Sequence, residues 1–395
     1  MTSRCLRWIY LGLCGLLAVG LSACAGLVLA PPLAPLLKDA VFGHPPRPAE
    51  ADGVMALDEA MRRFLRERLA GAVRDKGRPR ALAEALYARG ELQLDYDNTV
   101  TRNAAQAFAA RSGNCLSLVL MTAAMAHELG IDVRYQAVSQ AEAYSRSGGL
   151  TLQAKHINLV LAPRESRWHH DAMRFEAAGT AVLIDFLPAQ QLRGLRGDVI
   201  SEQRVLAMFM NNRAVEALQR EGLPAAYAWV REALRLDAGY WPAINSLGVI
   251  YQRAGQPALA AAAFERVLAI DQDNLPALSN LPPALLALQR DGEAARWTAR
   301  LLALQPHPPF HHLALAEAAL DRGDLGAARR HLADEQAVTG EGHELFFQRA
   351  RLQLAMGREG PARAALQRAI DSSETAPQRQ RYAAKLEQLR ALATR

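Results

Sequence analysis

One cysteine, Cys115 in Arg-Ser-Gly-Asn-Cys (111–115), is followed by His156 in KHINLVLA (155–162) and Asp185 in AVLIDFLP (181–188). A thiol, an imidazole and a carboxylate are the minimum equipment for thiol acyl transfer. The chain has four cysteines. Cys5 and Cys14 fall inside an N-terminal apolar run, and Cys24 closes Leu21-Ser22-Ala23-Cys24, so Cys115 is the only thiol expected in the folded part. A single thiol forms no internal disulfide, so stability has to come from packed helices and strands.

Gly113-Asn114 breaks a preceding helix and the apolar run after Cys115 starts the next. A cysteine at a helix N-terminus meets unpaired amide donors and the positive end of the dipole, which favour the thiolate. The same amides can receive an oxyanion. The backbone amide of Cys115 is the preferred donor, with the side chains of Gln106 and Asn114 as further candidates. His156 is expected on a strand with Asn158 and Val160 on the same face. Asp185 follows on the next strand, where antiparallel pairing of 155–161 with 180–186 would make it a cross-strand neighbour of His156. In that arrangement His156 takes the thiol proton and Asp185 fixes the imidazole tautomer and its charge. Singly, each residue also fits a bland role. A buried cysteine at the head of an apolar helix is usually inert, a strand histidine is usually structural, and Asp185 could cap a turn before Pro188.

The run RSGNCLSLVLMTAAMAHELGIDVRYQAV (111–138), then a strand His and a strand Asp, resembles the transglutaminase-like, papain-related cysteine superfamily. The likeness covers roughly 95–190, including YDNTVTRNAAQAF (96–108). It implies Cys115 as nucleophile, His156 as base and Asp185 as orienting acid. It also implies thioester acyl-enzymes, with the acyl group passed to an amine or to water. The superfamily includes transferases, amidases, peptidases and inactive members.

The elements that would position these residues are α+β up to about residue 200. Helices are predicted over 56–75, 79–89 and 101–110, with Tyr96-Asp97-Asn98-Thr99 as a turn. Another runs from Cys115 to Leu129, ended by Gly130. Segments 132–138, 155–162 and 180–186 carry β-branched or alternating residues and are expected to form an antiparallel sheet. Together, 56–200 would be a papain/transglutaminase-like domain, followed by an all-α solenoid.

The period then changes to 34 residues over 207–376. Gly255, Gly323 and Gly357 fall two periods and one period apart, and Ala226, Ala260, Ala294, Ala328 and Ala362 recur at one phase. Leu247-Gly248, Tyr251, Ala260 and Phe264 resemble the tetratricopeptide repeat, giving five copies and a capping helix over 377–395. The third copy departs, with Pro282 where the repeat prefers Gly and its own glycine late at Gly292. Trp229, Tyr251 and Trp297 are expected to pack between helices. A solenoid of this kind suits a protein or peptide partner, and tethering one there would raise its concentration at Cys115.

Arg4 and Arg7, the apolar 8–21 and the small Ser22 and Ala23 read as a signal peptide over 1–23. Leu-Ser-Ala-Cys is a lipoprotein acceptor pattern, so Cys24 is expected to be lipidated. Each buried methylene adds about 0.8 kcal/mol, and two or more acyl chains hold a protein to a membrane. The alternative, an uncleaved anchor running on through 25–37, is opposed by Pro31, Pro32 and Pro35. Residues 24–55, rich in Pro and Ala, read as a membrane-proximal linker. The expected location is the bacterial cell envelope, lipid-anchored and facing the periplasm, with Ala25 favouring the outer membrane.

The net charge is +6, and removing Arg4 and Arg7 with the signal leaves +4. That mild excess, with no recognisable motif, argues against a nucleic-acid partner. No cofactor is expected, because no Gly-rich phosphate loop is present. No metal is expected either: His169-His170-Asp171 and His307 with His311 and His312 lack partners at ligand spacing. Two functions follow: a cysteine-dependent acyltransferase or amidase/peptidase, or a catalytically inactive envelope scaffold.

Overall fold

The structure is a computed structural model. It describes residues 36–87, 92, 94–97, 100–147, 150–163, 181–186, 197–306, 308, 310–373 and 376–393. The expected signal segment, Cys24 and the His169-His170-Asp171 run lie outside the described residues, as does His307. Among the described residues no helix is long and apolar enough to cross a membrane.

Helix α1 (Glu59–Lys76) starts where the Asp58 side chain accepts from the Met61 amide, and it buries Met61, Leu65 and Leu69. Helix α2 (Arg78–Tyr87) follows directly. Tyr96, the first residue of the predicted turn, instead ends a two-residue strand β1 (Asp95–Tyr96), Asn98 and Thr99 lie outside the described residues, and helix α3 (Ala104–Ala110) begins later than 101. The delay has a local cause. Asn103 and Gln106 form a reciprocal capping box, which fixes Asn103 as the last residue outside the helix. Strand β2 (Ser112–Gly113) pairs in parallel with β1, Tyr96 opposite Gly113. Helix α4 (Cys115–Glu128) is the centre of this region, with Leu116 to Ala126 buried without a break. A helix buried all round needs cover on every side. Strands β3 (Ile131–Ser147) and β4 (Leu150–Pro163) supply part of it.

The sheet is larger than the sequence pattern announced. β3 runs on to Ser147 past a register shift between Val138 and Glu142, and pairs with β4 as a long hairpin. Strands β5 (Val182–Ile184) and β6 (Gly197–Ile200) complete the order β5-β4-β3-β6, all antiparallel.

The solenoid is built from helix pairs: α5 (Glu202–Arg220) with α6 (Leu223–Leu236), α7 (Trp241–Arg253) with α8 (Pro257–Ile270), and α9 (Leu275–Ala287) with α10 (Asp291–Leu304). Then come α11 (His311–Asp321) with α12 (Leu325–Thr339), α13 (His343–Ala355) with α14 (Glu359–Asp371), and the closing α15 (Ala376–Ala393). The five phased alanines are all at most 3 % exposed, as close helix crossings require. Gly248 is needed for the same reason, since a Cβ there would stand 2.4 Å from Phe264 Cε1. Trp229 and Tyr251 are buried, while Trp297 is only half-buried.

The third repeat corrects two expectations. Helix α9 continues through Pro282 and Pro283. The left-handed residue that ends it is Gln289 (φ 59°), one period from Gly255 and Gly323, and not Gly292. The period therefore dictates the backbone shape even where the residue type does not suit it.

Residues 36–54, the described part of the expected linker, are packed on the solenoid. The Lys38 amide donates to Tyr251 Oη (3.0 Å), and Tyr251 Oη donates to the Leu36 carbonyl (2.6 Å). Tyr227 Oη donates to Asp39 Oδ1 (2.6 Å) and Phe42 stacks on Tyr227, ring centroids 4.5 Å apart. Arg47 pairs with the buried Glu232 at 2.7 Å. Proline-rich composition describes a chain that forms no helix, and such a chain can still be docked. Strand β4 also packs against α7 and α9, so residues 36–395 form one unit.

Candidate functional site

The start of α4 is held by its neighbours in sequence. Asn114 is the N-cap, with Oδ1 accepting from the Ser117 amide and from Ser117 Oγ, both at 2.9 Å. Its Nδ2 donates to Thr101 Oγ1 (2.9 Å). Ser117 Oγ in turn accepts from the Arg102 amide (2.8 Å). Close approach explains Gly113, where a Cβ would lie 2.7 Å from Ser117 Cβ. The Thr101 amide donates to Glu216 Oε1 on α5 (2.7 Å), which ties this turn to the first solenoid helix.

The two side chains named as oxyanion candidates take part in caps. Asn114 caps the helix through Oδ1 and donates from Nδ2 to Thr101, and Gln106 Oε1 accepts from the Asn103 amide (3.1 Å). The Cys115 amide, in the first turn of α4, is among those a helix leaves without an internal partner.

Cys115, His156 and Asp185 come together from α4, β4 and the residue after β5. Cys115 is a half-buried free thiol. His156 Nε2 lies 2.8 Å from Asp185 Oδ1, both side chains at most 5 % exposed. With Nε2 engaged by Asp185, Nδ1 is the ring nitrogen left for the Cys115 side chain, which is near enough to act on the imidazole. Burial opposes the imidazolium, but bonds to Asp185 and Cys115 outweigh it, and His156 is raised to about 9. A histidine so placed stays protonated at neutral pH.

The register refines the predicted neighbours. Leu159 pairs with Ile184, so continuing it sets Asp185 opposite Asn158, with His156 one diagonal step away. Asn158 Nδ2 accordingly donates to Asp185 Oδ2 (2.8 Å), so both carboxylate oxygens are engaged. Tyr87 Oη donates to the Asp185 carbonyl (2.9 Å). Burial first, and then the Asp185 charge, push the Tyr87 phenol to about 12.

Sequence reasoning assigned no role to Asn158 or Tyr87. The i, i+2 spacing of His156 and Asn158 was a usable signal. Tyr87 is 98 residues from Asp185 and gave none. Tyr96, read as part of a turn, is brought toward Cys115 by the β1–β2 pairing. Its phenol is raised by burial and then by the Cys115 charge. The arrangement sets a thiol, an imidazole and a carboxylate together, a set able to act as nucleophile, proton carrier and orienting acid, with both carboxylate oxygens held.

The sequence pattern of the tetratricopeptide repeat matches residues 242–274, which are α7, α8 and the turn beyond. Tetratricopeptide repeats are present in this chain. Proteins built from them bind peptide or protein partners. A thermophilic tetratricopeptide-repeat protein of Thermus thermophilus is similar at 20% identity, over 46% of this chain and 98% of that one, with a TM-score of 0.39. PilW, a widely conserved type IV pilus biogenesis factor, is similar at 20% identity over 46% and 92%, TM-score 0.33. YrrB, a repeat protein with an unusual peptide-binding site, is similar at 19% identity over 44% and 90%, TM-score 0.27. No curated protein matches the sequence.

Proposed function

We propose that the chain is a membrane-anchored envelope protein that performs thiol acyl transfer at Cys115 and binds a protein or peptide partner through its repeats. The observation that carries the chemistry is the buried His156–Asp185 contact at 2.8 Å, with Cys115 near enough to raise the same imidazole. The Cys115 thiolate attacks an amide carbonyl, and the oxyanion is received by first-turn amides of α4. His156 gives its proton to the departing amine as the C–N bond breaks, leaving a thioester. His156 then takes a proton from water or an acceptor amine, which captures the acyl group and frees the thiol. This makes the activity that of a transglutaminase-like transferase or an amidase/peptidase. Anchoring rests on the sequence alone: Arg4, Arg7, the apolar run and Cys24 in Leu-Ser-Ala-Cys support a lipidated N-terminus on the periplasmic side of an outer membrane.

A scaffold without catalysis is the second reading. The docking of β4 and of residues 36–54 on the solenoid favours it, because the α+β region then serves the repeats as a fixed structural cap. Alkylation of Cys115 separates the two readings. Iodoacetamide labelling across pH 4–9 is followed on the Cys115 peptide by mass spectrometry, beside His156→Ala and Asp185→Asn. An activated pair labels about 10–100 times faster at pH 6 than His156→Ala, with Asp185→Asn between them. Equal labelling in all three, rising toward the ordinary thiol pKa of about 8.5, leaves the scaffold.

A further inference from the structure

The fourth repeat brings three histidines together. His311 and His312 open α11, and His331 lies midway along α12. His312 and His331 stack with ring centroids 6.2 Å apart and 24° between planes, and His311 meets His312 edge-on at 5.3 Å. The Nδ1 atoms of His312 and His331 are both buried without a hydrogen-bond partner. Each such orphan costs about 1–3 kcal/mol, so two on facing helices need a reason. Asp334 stands one turn beyond His331 on α12. One ligand atom from each of His312, His331 and Asp334 lies within 4.8 Å of the other two. The adjacent acid is already used: Glu335 is buried and accepts from the Leu313 amide (3.2 Å) and from Thr339 Oγ1 (3.1 Å). Asp334, which is exposed, is the one able to turn inward.

We propose that His312, His331 and Asp334 bind one divalent transition-metal ion of the zinc type, leaving a fourth position for water. Ligand atoms at about 2.0–2.1 Å from a tetrahedral ion stand roughly 3.3 Å apart, so closing from 4.8 Å takes small rotations of two rings and one surface carboxylate. Two imidazoles and one carboxylate suit zinc, nickel or copper, whereas magnesium and calcium want oxygen throughout. The ion would join α11 to α12 just after Pro306-His307-Pro308-Pro309 and Phe310, a residue held at φ 60°. The site therefore staples the repeat that follows this break. From the sequence His311 and His312 lacked a partner, because His331 is 19 residues from His312 and reaches it only when the two helices pair.

The test uses the full chain without an affinity tag, in detergent and stripped of metal, titrated with zinc chloride by calorimetry and followed by thermal unfolding. One zinc per chain is expected, with a rise in Tm. Asp334→Asn and His331→Gln should each weaken Kd at least tenfold, and Cys115→Ala should leave it unchanged. Asp334 is on the surface, so Asp334→Asn keeps the fold and decides the matter even if His331→Gln unfolds. Zinc binding equal in wild type and Asp334→Asn, or lost only in Cys115→Ala, overturns the site.

Discussion

In the solenoid five alanines one period apart all sit at helix crossings, and a glycine or its substitute recurs at the end of each first helix. In the α+β region no position repeats. Cys115, His156 and Asp185 are each supported by different neighbours, and the nearest two of the three in sequence are 29 residues apart. The repeated region spreads its stability over many equivalent contacts. The other gathers its candidate site around one buried contact. A change in the first should cost stability and leave the thiol alone, and a change in the second should do the reverse.

Phe264→Ala strikes the solenoid hardest. It empties the ring that fills the space beside Gly248 and should cost about 3–5 kcal/mol in urea unfolding. If the pH profile of Cys115 labelling moves with it, the two regions are not separable in this way. Asn114→Ala should cost about 1–2 kcal/mol, since it removes an N-cap and a bond to Thr101, and it should also slow Cys115 labelling. An unchanged rate would show that the cap does not position the thiol.

A third prediction is in pH. His156 is raised from the ordinary 6.5 to about 9, so its contribution to stability is full below about 6.5 and is lost as pH rises through about 9. The stability difference between wild type and His156→Gln should therefore shrink between about pH 6.5 and about pH 9.5. A difference that grows over that range contradicts the ion pair. The smallest effect is Gln289→Gly. It relieves a left-handed non-glycine residue but adds freedom to the unfolded chain, for a net gain of about 0.5–1 kcal/mol in thermal unfolding. A loss would mean that the Gln289 side chain makes a contact worth more than the backbone strain.

The legible parts of this protein were those written locally. The 34-residue period, the Gly113-Asn114 break before Cys115 and the alternation around His156 are all short-range signals. The far end of β3 was not legible, because past Val138 the strand is held by its hairpin partner and carries little pattern of its own. Residues 36–54 looked like linker because nothing in them announces Tyr227 and Tyr251, which lie more than 180 residues away.

Sequence by itself determined the repeat and its phase, the order of thiol, imidazole and carboxylate, and the cap that starts α4, since each depends on residues within a few turns. Only the tertiary structure decided that Asn158 holds the second carboxylate oxygen of Asp185 and that Tyr96 lies opposite Gly113, two residues before the thiol. It also decided that Gln106 caps α3, and that His331 meets His312. Each of these is a matter of register between strands or of which helix lies against which. Pairing over long separations is chosen by the burial of whole faces at once, and no local run of residues records it.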